Sequence, residues 1–268
     1  MKETIKLVLV DVDGTLLNSQ MIVTEKNKQA IAKLAQKNIL FGIATGRTPY
    51  AVNHLIHHWG IADSCDLIMG FNGGATLNLK TGELRQYNLI KGEYLAEVRE
   101  TFKDFNVNYG IYDKETYHCV LDDAGARRVC KNNNLPLIVD DLSYYNDLEV
   151  EKMLMMGEPE EIDRAQSFYE TKVRTNHYKA VRSTPRLFEF LNPELSKSKG
   201  IEEICKHYGF KKENVLTFGD ELNDLEMIRD CVGVAMGNAN PKIKEIAKYQ
   251  TLSNDEDGIA YFLEKNIL

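Results

Sequence analysis

Short apolar runs alternate along this chain with longer segments whose apolar residues recur every three or four positions. That alternation predicts strands separated by amphipathic helices. Ile5-Lys6-Leu7-Val8-Leu9-Val10 is too short for a buried helix and reads as a central strand. Thr24 is placed to cap a helix running to residue 38, with Ala30, Ile31, Leu34 and Ala35 on one apolar face. A second strand spans residues 40–44. In the helix that follows, Pro49 suits the first turn and Gly60 the end, and a third strand covers residues 66–71. Strand, helix, strand, helix, strand is the rhythm of a parallel sheet.

The rhythm then breaks. Residues 76–79 and 84–89 flank Lys80-Thr81-Gly82-Glu83, the pattern of a hairpin. From about residue 90 to 190, helical stretches (93–105 and 158–170) are interleaved with short runs rich in Tyr, Val and Met (109–112, 116–120 and 150–156), which predicts an α+β insertion. The first rhythm returns with a helix over 199–208, a strand over 215–218, a helix near 224–229, a short strand over 232–236, and helices beginning at Pro241 and Asp257.

Candidate chemistry sits where the strands end. Asp11-Val12-Asp13-Gly14-Thr15 places two carboxylates directly after the first strand, at the sheet edge where open α/β folds bind ligands. Two such charges repel unless a cation, a shared proton or hydrogen bonds compensate them. Gly14 permits a tight turn there, and Thr15 adds a hydroxyl. The strand at 215–218 runs into Gly219-Asp220-Glu221-Leu222-Asn223-Asp224, a second acidic cluster. Together the clusters would make an oxygen-rich site for a hard cation such as Mg²⁺, and the absence of His and Cys from them disfavours Zn²⁺. Taken singly, each cluster also fits an ordinary role, since Asp and Gly form turns and Asp220 could cap the next helix. The remaining strand ends carry Thr45-Gly46-Arg47 and Asn72-Gly73-Gly74.

Composition narrows the field. At 268 residues the chain exceeds the usual single domain. A net charge of −7 argues against nucleic acid as a partner. Five scattered cysteines without a C-x-x-C pair point to reduced thiols. The chain carries no apolar stretch of about 18 residues and no small-residue cleavage site after its first apolar run, so no membrane is expected and a cytoplasmic location is. His54, His57 and His58 are expected on a helix surface, Met153, Met155 and Met156 in a core, and Lys172, Arg174, His177, Lys179 and Arg182 on a solvated face.

The four strand ends, in this order, with a lysine opening the helix before the last, resemble the haloacid dehalogenase-like hydrolase superfamily. Arg182-Ser183-Thr184-Pro185 leading into Leu187-Phe188-Glu189-Phe190-Leu191, Gly233-Val234-Ala235-Met236-Gly237-Asn238-Ala239, and Ser253-Asn254-Asp255-Glu256-Asp257-Gly258-Ile259-Ala260 resemble its Cof-type branch, in particular the sugar-phosphatase-like members. The resemblance spans nearly the whole chain, the middle matching by position and rhythm only. It implies an α/β fold: a Rossmann-like parallel-sheet core (residues 1–83 and 192–268) with an inserted α+β cap domain (84–191) that selects substrate. The implied activity is Mg²⁺-dependent hydrolysis of small phosphorylated metabolites, sugar phosphates above all. A phosphomutase or phosphotransferase, a signalling receiver and a non-catalytic binding protein are the alternatives.

The resemblance makes Asp11 the nucleophile and Asp13 the general acid and base. It places Mg²⁺ on the side chains of Asp11 and Asp220 and on the backbone carbonyl of Asp13, with Asn223 and Asp224 holding that arrangement. Thr45, Gly46, Arg47 and Asn72 would contact substrate. In Ser196-Lys197-Ser198-Lys199-Gly200 two lysines compete for the motif position, and the glycine after Lys199 favours Lys199 as catalytic.

Overall fold

The computed structural model describes residues 4–268, which fall into two compact units, residues 4–87 with 196–268 and residues 88–195. The first unit begins with β1 (Leu7–Val10), α1 (Glu25–Leu34), β2 (Leu40–Ala44), α2 (Pro49–His58), β3 (Leu67–Gly70), β4 (Ala75–Asn78) and β5 (Leu84–Gln86). Local chemistry sets these bounds. The Thr24 side chain accepts the Asn27 N–H at the start of α1, and Thr48 does the same for Tyr50 ahead of Pro49 in α2.

The second unit contains β6 (Ile90–Lys91), α3 (Gly92–Thr101), β7 (Asn108–Asp113), β8 (Thr116–Cys119), α4 (Ala124–Asn133), β9 (Leu137–Val139), β10 (Glu149–Val150), β11 (Lys152–Met156), α5 (Pro159–Lys172), β12 (Lys179–Thr184) and β13 (Leu187–Leu191). Six of its strands form a sheet in the order β12-β13-β11-β7-β8-β9, antiparallel except for the β8–β9 pair, and β6 pairs antiparallel with β10. Alternation along β11 sends Met153 and Met155 into a core with Phe102, Phe188, Phe190 and Tyr178.

The chain returns to the first unit with α6 (Lys197–Tyr208), β14 (Val215–Gly219), α7 (Leu225–Asp230), β15 (Val232–Ala235), α8 (Pro241–Ile246), β16 (Tyr249–Gln250) and α9 (Gly258–Asn266). The eight-stranded sheet has the order β16-β15-β14-β1-β2-β3-β4-β5. Strands β16 to β3 are mutually parallel, and β4 and β5 add the antiparallel hairpin. β1 and β14 are adjacent central strands and are buried throughout, as continuous apolar runs in a parallel sheet require.

Both crossings fall four residues later than the sequence reading placed them. β5 pairs with β4 and the Tyr87 N–H continues to the Gly74 carbonyl, which keeps 84–87 in the first unit. Asn192 donates to the Leu89 carbonyl and Lys179 to the carbonyls of Pro193 and Leu195, which ties 192–195 to the second unit. No helix among the described residues is long and apolar enough to cross a membrane. His54, His57 and His58 are exposed, and all five cysteines are free.

Candidate active site

The Asp11 N–H bonds the Phe218 carbonyl at 3.0 Å, extending the β1–β14 ladder one step past the end of β1. That step sets the Asp11 carboxylate beside the loop leaving β14. Oxygens of Asp11, Asp220 and Asp224, all buried, lie within 4.8 Å of one another. Lys197, fully buried at the start of α6, donates from Nζ to Asp11 Oδ1 and Asp224 Oδ1, each at 2.5 Å. The other oxygen of Asp224 accepts the N–H groups of Asp220 (3.0 Å) and Glu221 (3.2 Å), so both oxygens of Asp224 are engaged by protein donors. Asp220 Oδ1 accepts the Thr15 hydroxyl at 2.7 Å. Asp11 Oδ2 and Asp220 Oδ2 are the carboxylate oxygens of this trio without a hydrogen-bond donor among the described residues.

Gly14 is required by this geometry. Its φ is +84°, and a Cβ there would lie 2.3 Å from Asp220 Oδ2.

Here the structure corrects one sequence expectation. Lys197, not Lys199, reaches the carboxylates; Lys199 is exposed and pairs with Glu202 at 3.7 Å. Gly200 follows Lys199 for a different reason, the close approach of α6 to the third loop, where a Cβ on Gly200 would lie 2.5 Å from the Gly73 Cα. Lys197 stands three residues before Gly200 and four before Ile201, and therefore on the same buried face. Helical spacing from Ile201, Ile204 and Cys205 back to 197 is the signal that would have found it.

Burial is the largest influence on the Lys197 ammonium and works against its charge, but Asp11 and Asp224 outweigh it and hold the lysine protonated. Burial raises the Asp11 carboxyl, against the pull of Lys197. It also pushes Asp220 up to about 6, against the hydrogen bond from Thr15.

Asp13 is exposed, and Arg47 grips it through Nη2 at 2.8 Å and Nε at 3.3 Å. Thr45 is buried; its carbonyl accepts the Asn72 N–H at 2.9 Å and its hydroxyl oxygen accepts the Arg47 N–H at 3.2 Å, leaving the hydroxyl proton to donate. Asn72 stands in the left-handed region (φ 54°), and its buried side-chain oxygen has no hydrogen-bond partner among the described residues. A Cβ on Gly46 would come within 3.2 Å of the Asn72 amide nitrogen, so the second and third loops are closely packed. Asn223 is exposed on the turn between Asp220 and Asp224 and is not among the groups bonded to the carboxylates.

Four carboxylates (Asp11, Asp13, Asp220, Asp224) thus meet two cationic side chains, Lys197 and Arg47. The excess of negative charge and the all-oxygen donor set suit a hard divalent cation. Asp11 and Asp220 are fitted to hold it, and Asp224 to orient Lys197 and the Asp220 loop.

A family model described as haloacid dehalogenase-like hydrolase matches residues 8–263. Two proteins of Bacillus subtilis, YitU and YcsE, both named 5-amino-6-(5-phospho-D-ribitylamino)uracil phosphatase, are each 26% identical to this chain. The matches cover 97% and 96% of the chain and 96% and 93% of the relatives. The crystal structure of a haloacid dehalogenase-like hydrolase from Bacteroides thetaiotaomicron superposes with a TM-score of 0.86 at 26% identity, over 98% of this chain and 99% of that one. The chain belongs to the haloacid dehalogenase-like hydrolases, the superfamily whose Cof-type branch its motifs resemble, and it is a phosphatase, a hydrolase of phosphoric monoesters.

Proposed function

We propose that the chain hydrolyses small phosphorylated metabolites, sugar phosphates foremost, through an aspartyl-phosphate on Asp11 with Mg²⁺ as the cation. The observation that carries this reading is the buried Lys197 bridge between Asp11 and Asp224 beside Asp220 at the ends of two central strands. The Lys197 bond fixes one oxygen of Asp11 and leaves the other to attack phosphorus, which splits one hard displacement into two. Asp13 protonates the departing alkoxide and, as a carboxylate, then takes a proton from the water that cleaves the aspartyl-phosphate.

Asp13 can do so only once Arg47 lets go. A substrate phosphate offers the guanidinium a second bidentate partner, so Arg47 exchanges Asp13 for phosphate as substrate arrives. Thr45, with its free hydroxyl proton, and Gly46 and Asn72 line the same group. The carboxylates of Asp11 and Asp220 and the Asp13 backbone carbonyl would hold Mg²⁺, with Asp224 supporting them; the exposed Asn223 makes no bond to these carboxylates. The cation supplies neutralising charge at the phosphoryl oxygens.

The relatives named above act, by their names, on a phosphorylated ribityl compound, which supports a small primary phosphate ester as substrate. The second unit, inserted by two crossings, is the candidate for choosing among such esters. Five free thiols accord with a cytoplasmic setting. A panel of phosphorylated metabolites ranked by kcat/KM, with Mg²⁺ and with EDTA, tests the proposal. Turnover should stop in EDTA and return with Mg²⁺; full turnover without metal defeats the cation's role, and no turnover on any ester defeats the reading.

Removing the cation should also couple stability to pH. A carboxyl raised in the folded protein, as Asp220 is to about 6, binds a proton on folding between its unfolded value and that one. Stability is therefore lost as pH rises through roughly 4 to 6, about 3 kcal/mol in all at 1.4 kcal/mol per pH unit. The cation-free protein should melt several degrees higher at pH 5 than at pH 7.5, and Mg²⁺ should raise the melting temperature mainly at pH 7.5. Equal melting at both pH values in EDTA would contradict the burial of a charged Asp220.

A further inference from the structure

Two motifs near the carboxyl end, Met236-Gly237-Asn238-Ala239 and Ser253-Asn254-Asp255, have no part in the chemistry above. Both converge on the loop that carries Asp13. That loop is closed on itself by the Leu16 N–H to the Asp11 carbonyl, the Leu17 N–H to the Val12 carbonyl and a bridge between Asp13 and Leu17. Its outward carbonyls are held from outside. Asn238 Nδ2 donates to the Gly14 carbonyl at 2.8 Å, and Asn254 Nδ2 donates to the Leu17 carbonyl at 2.9 Å. The two amides are locked to one another, because the Asn254 N–H donates to Asn238 Oδ1 at 3.1 Å and so fixes which end of the Asn238 amide faces Gly14. Asp255 Oδ1 extends the strap by accepting both the N–H and the hydroxyl of Ser19, each at 2.8 Å.

We infer that Asn238 and Asn254 are positioning residues for the general acid and base: they hold the backbone that follows Asp13, at Gly14 and at Leu17, so that its carboxylate meets the leaving oxygen. The inference rests on the role proposed for Asp13. Gly14, which follows Asp13 directly, is the pivot. Its left-handed backbone is intrinsically permissive, and it passes within a Cβ's reach of Asp220. A loop with that freedom needs an external constraint to present one side chain reproducibly, and a misplacement of about 1 Å in a reacting group is enough to cost on the order of 100-fold. Asn238 is anchored for the task, since the Ala239 N–H bonds the Met236 carbonyl and the Asn240 N–H bonds the Asp220 carbonyl at 2.8 Å. The strap therefore ties the loop of the proton donor to the loop of Asp220.

The test uses the need for acid catalysis, which is large for an alkyl phosphate and small for an aryl phosphate whose leaving group departs as a stable anion. Asn238→Asp keeps the acceptor for the Asn254 N–H but turns an oxygen toward the Gly14 carbonyl. Asn254→Asp does the same at Leu17. Each variant should lower kcat/KM, which reports the transfer to Asp11 and not the later attack of water that Asp13 also serves, by about tenfold or more on an alkyl phosphate and by less than about threefold on 4-nitrophenyl phosphate, and the double variant should lose little beyond the stronger single one. Asn238→Ala, with melting temperature measured in parallel, covers the case in which the aspartates misfold. Equal losses on both esters, or none, in a folded variant would overturn the inference. Asp13→Asn, assayed on the same two esters, reports on the underlying role separately: if it spares the alkyl phosphate, the Asp13 assignment fails whatever the asparagines do.

Discussion

Asp11→Asn is expected to abolish turnover while leaving the fold intact. The substitution preserves shape, and its carbonyl oxygen can still accept the Lys197 ammonium where Asp11 Oδ1 does now, at 2.5 Å. It removes the negative charge and nucleophilicity that make a covalent aspartyl-phosphate accessible, and uncatalysed phosphate-monoester hydrolysis is among the slowest reactions known. Loss of a covalent nucleophile costs several orders of magnitude in kcat. Stability should not fall, because burial penalises the Asp11 charge and the amide carries none. The measurement is kcat on an aryl phosphate at saturating Mg²⁺ together with a melting curve, and mass spectrometry of rapidly quenched enzyme for phosphate on Asp11. A folded variant that keeps more than about a hundredth of the kcat would remove Asp11 from the nucleophile's role.

The parts of this molecule that were legible in the sequence are those whose signal is local. Continuous apolar runs over Leu7–Val10, Leu40–Ala44, Val215–Gly219 and Val232–Ala235 announce strands buried on both faces, and the acidic residues that follow β1 and β14 announce the site edge. β16 is only two residues long, with one of them exposed, and carries no periodicity to detect. β5 reads as the start of the insertion because none of its three residues is buried, yet it completes the hairpin on the first sheet. The resemblance gives Arg47 to substrate, and its pair with Asp13, 34 positions earlier in the chain, is made by the fold. Asn238 and Asn254 stood out as motif members, but their common target, the carbonyls of 14 and 17, exists only once β15 and the closing segment lie beside that loop. Local pattern thus names the elements and many chemical groups, while pairing across the sheet edge decides which groups meet.

The choice between Lys197 and Lys199 yields the sharpest separation of expected effects. Lys197→Met should lower kcat by at least about a hundredfold, since it deletes the only ammonium that contacts Asp11 and Asp224 among the described residues. It should also destabilise the cation-free protein by about 3 to 5 kcal/mol, the usual cost of leaving a buried charge without its partner, because Asp224 is wholly buried and keeps only two backbone donors. Lys199→Met removes an exposed ammonium 3.7 Å from Glu202, a contact of the kind worth a fraction of a kcal/mol. Activity should stay within about twofold and stability within about 0.5 kcal/mol of the parent. Mg²⁺ should restore part of the stability lost in Lys197→Met, since a divalent cation on Asp11 and Asp220 relieves the repulsion that the lysine relieved, but it should not restore kcat, because the orientation of Asp11 comes from the Lys197 bond. Melting curves and kcat for both variants, with and without Mg²⁺, decide the matter. A larger loss from Lys199→Met than from Lys197→Met would mean that the first turn of α6 presents the other lysine to the nucleophile.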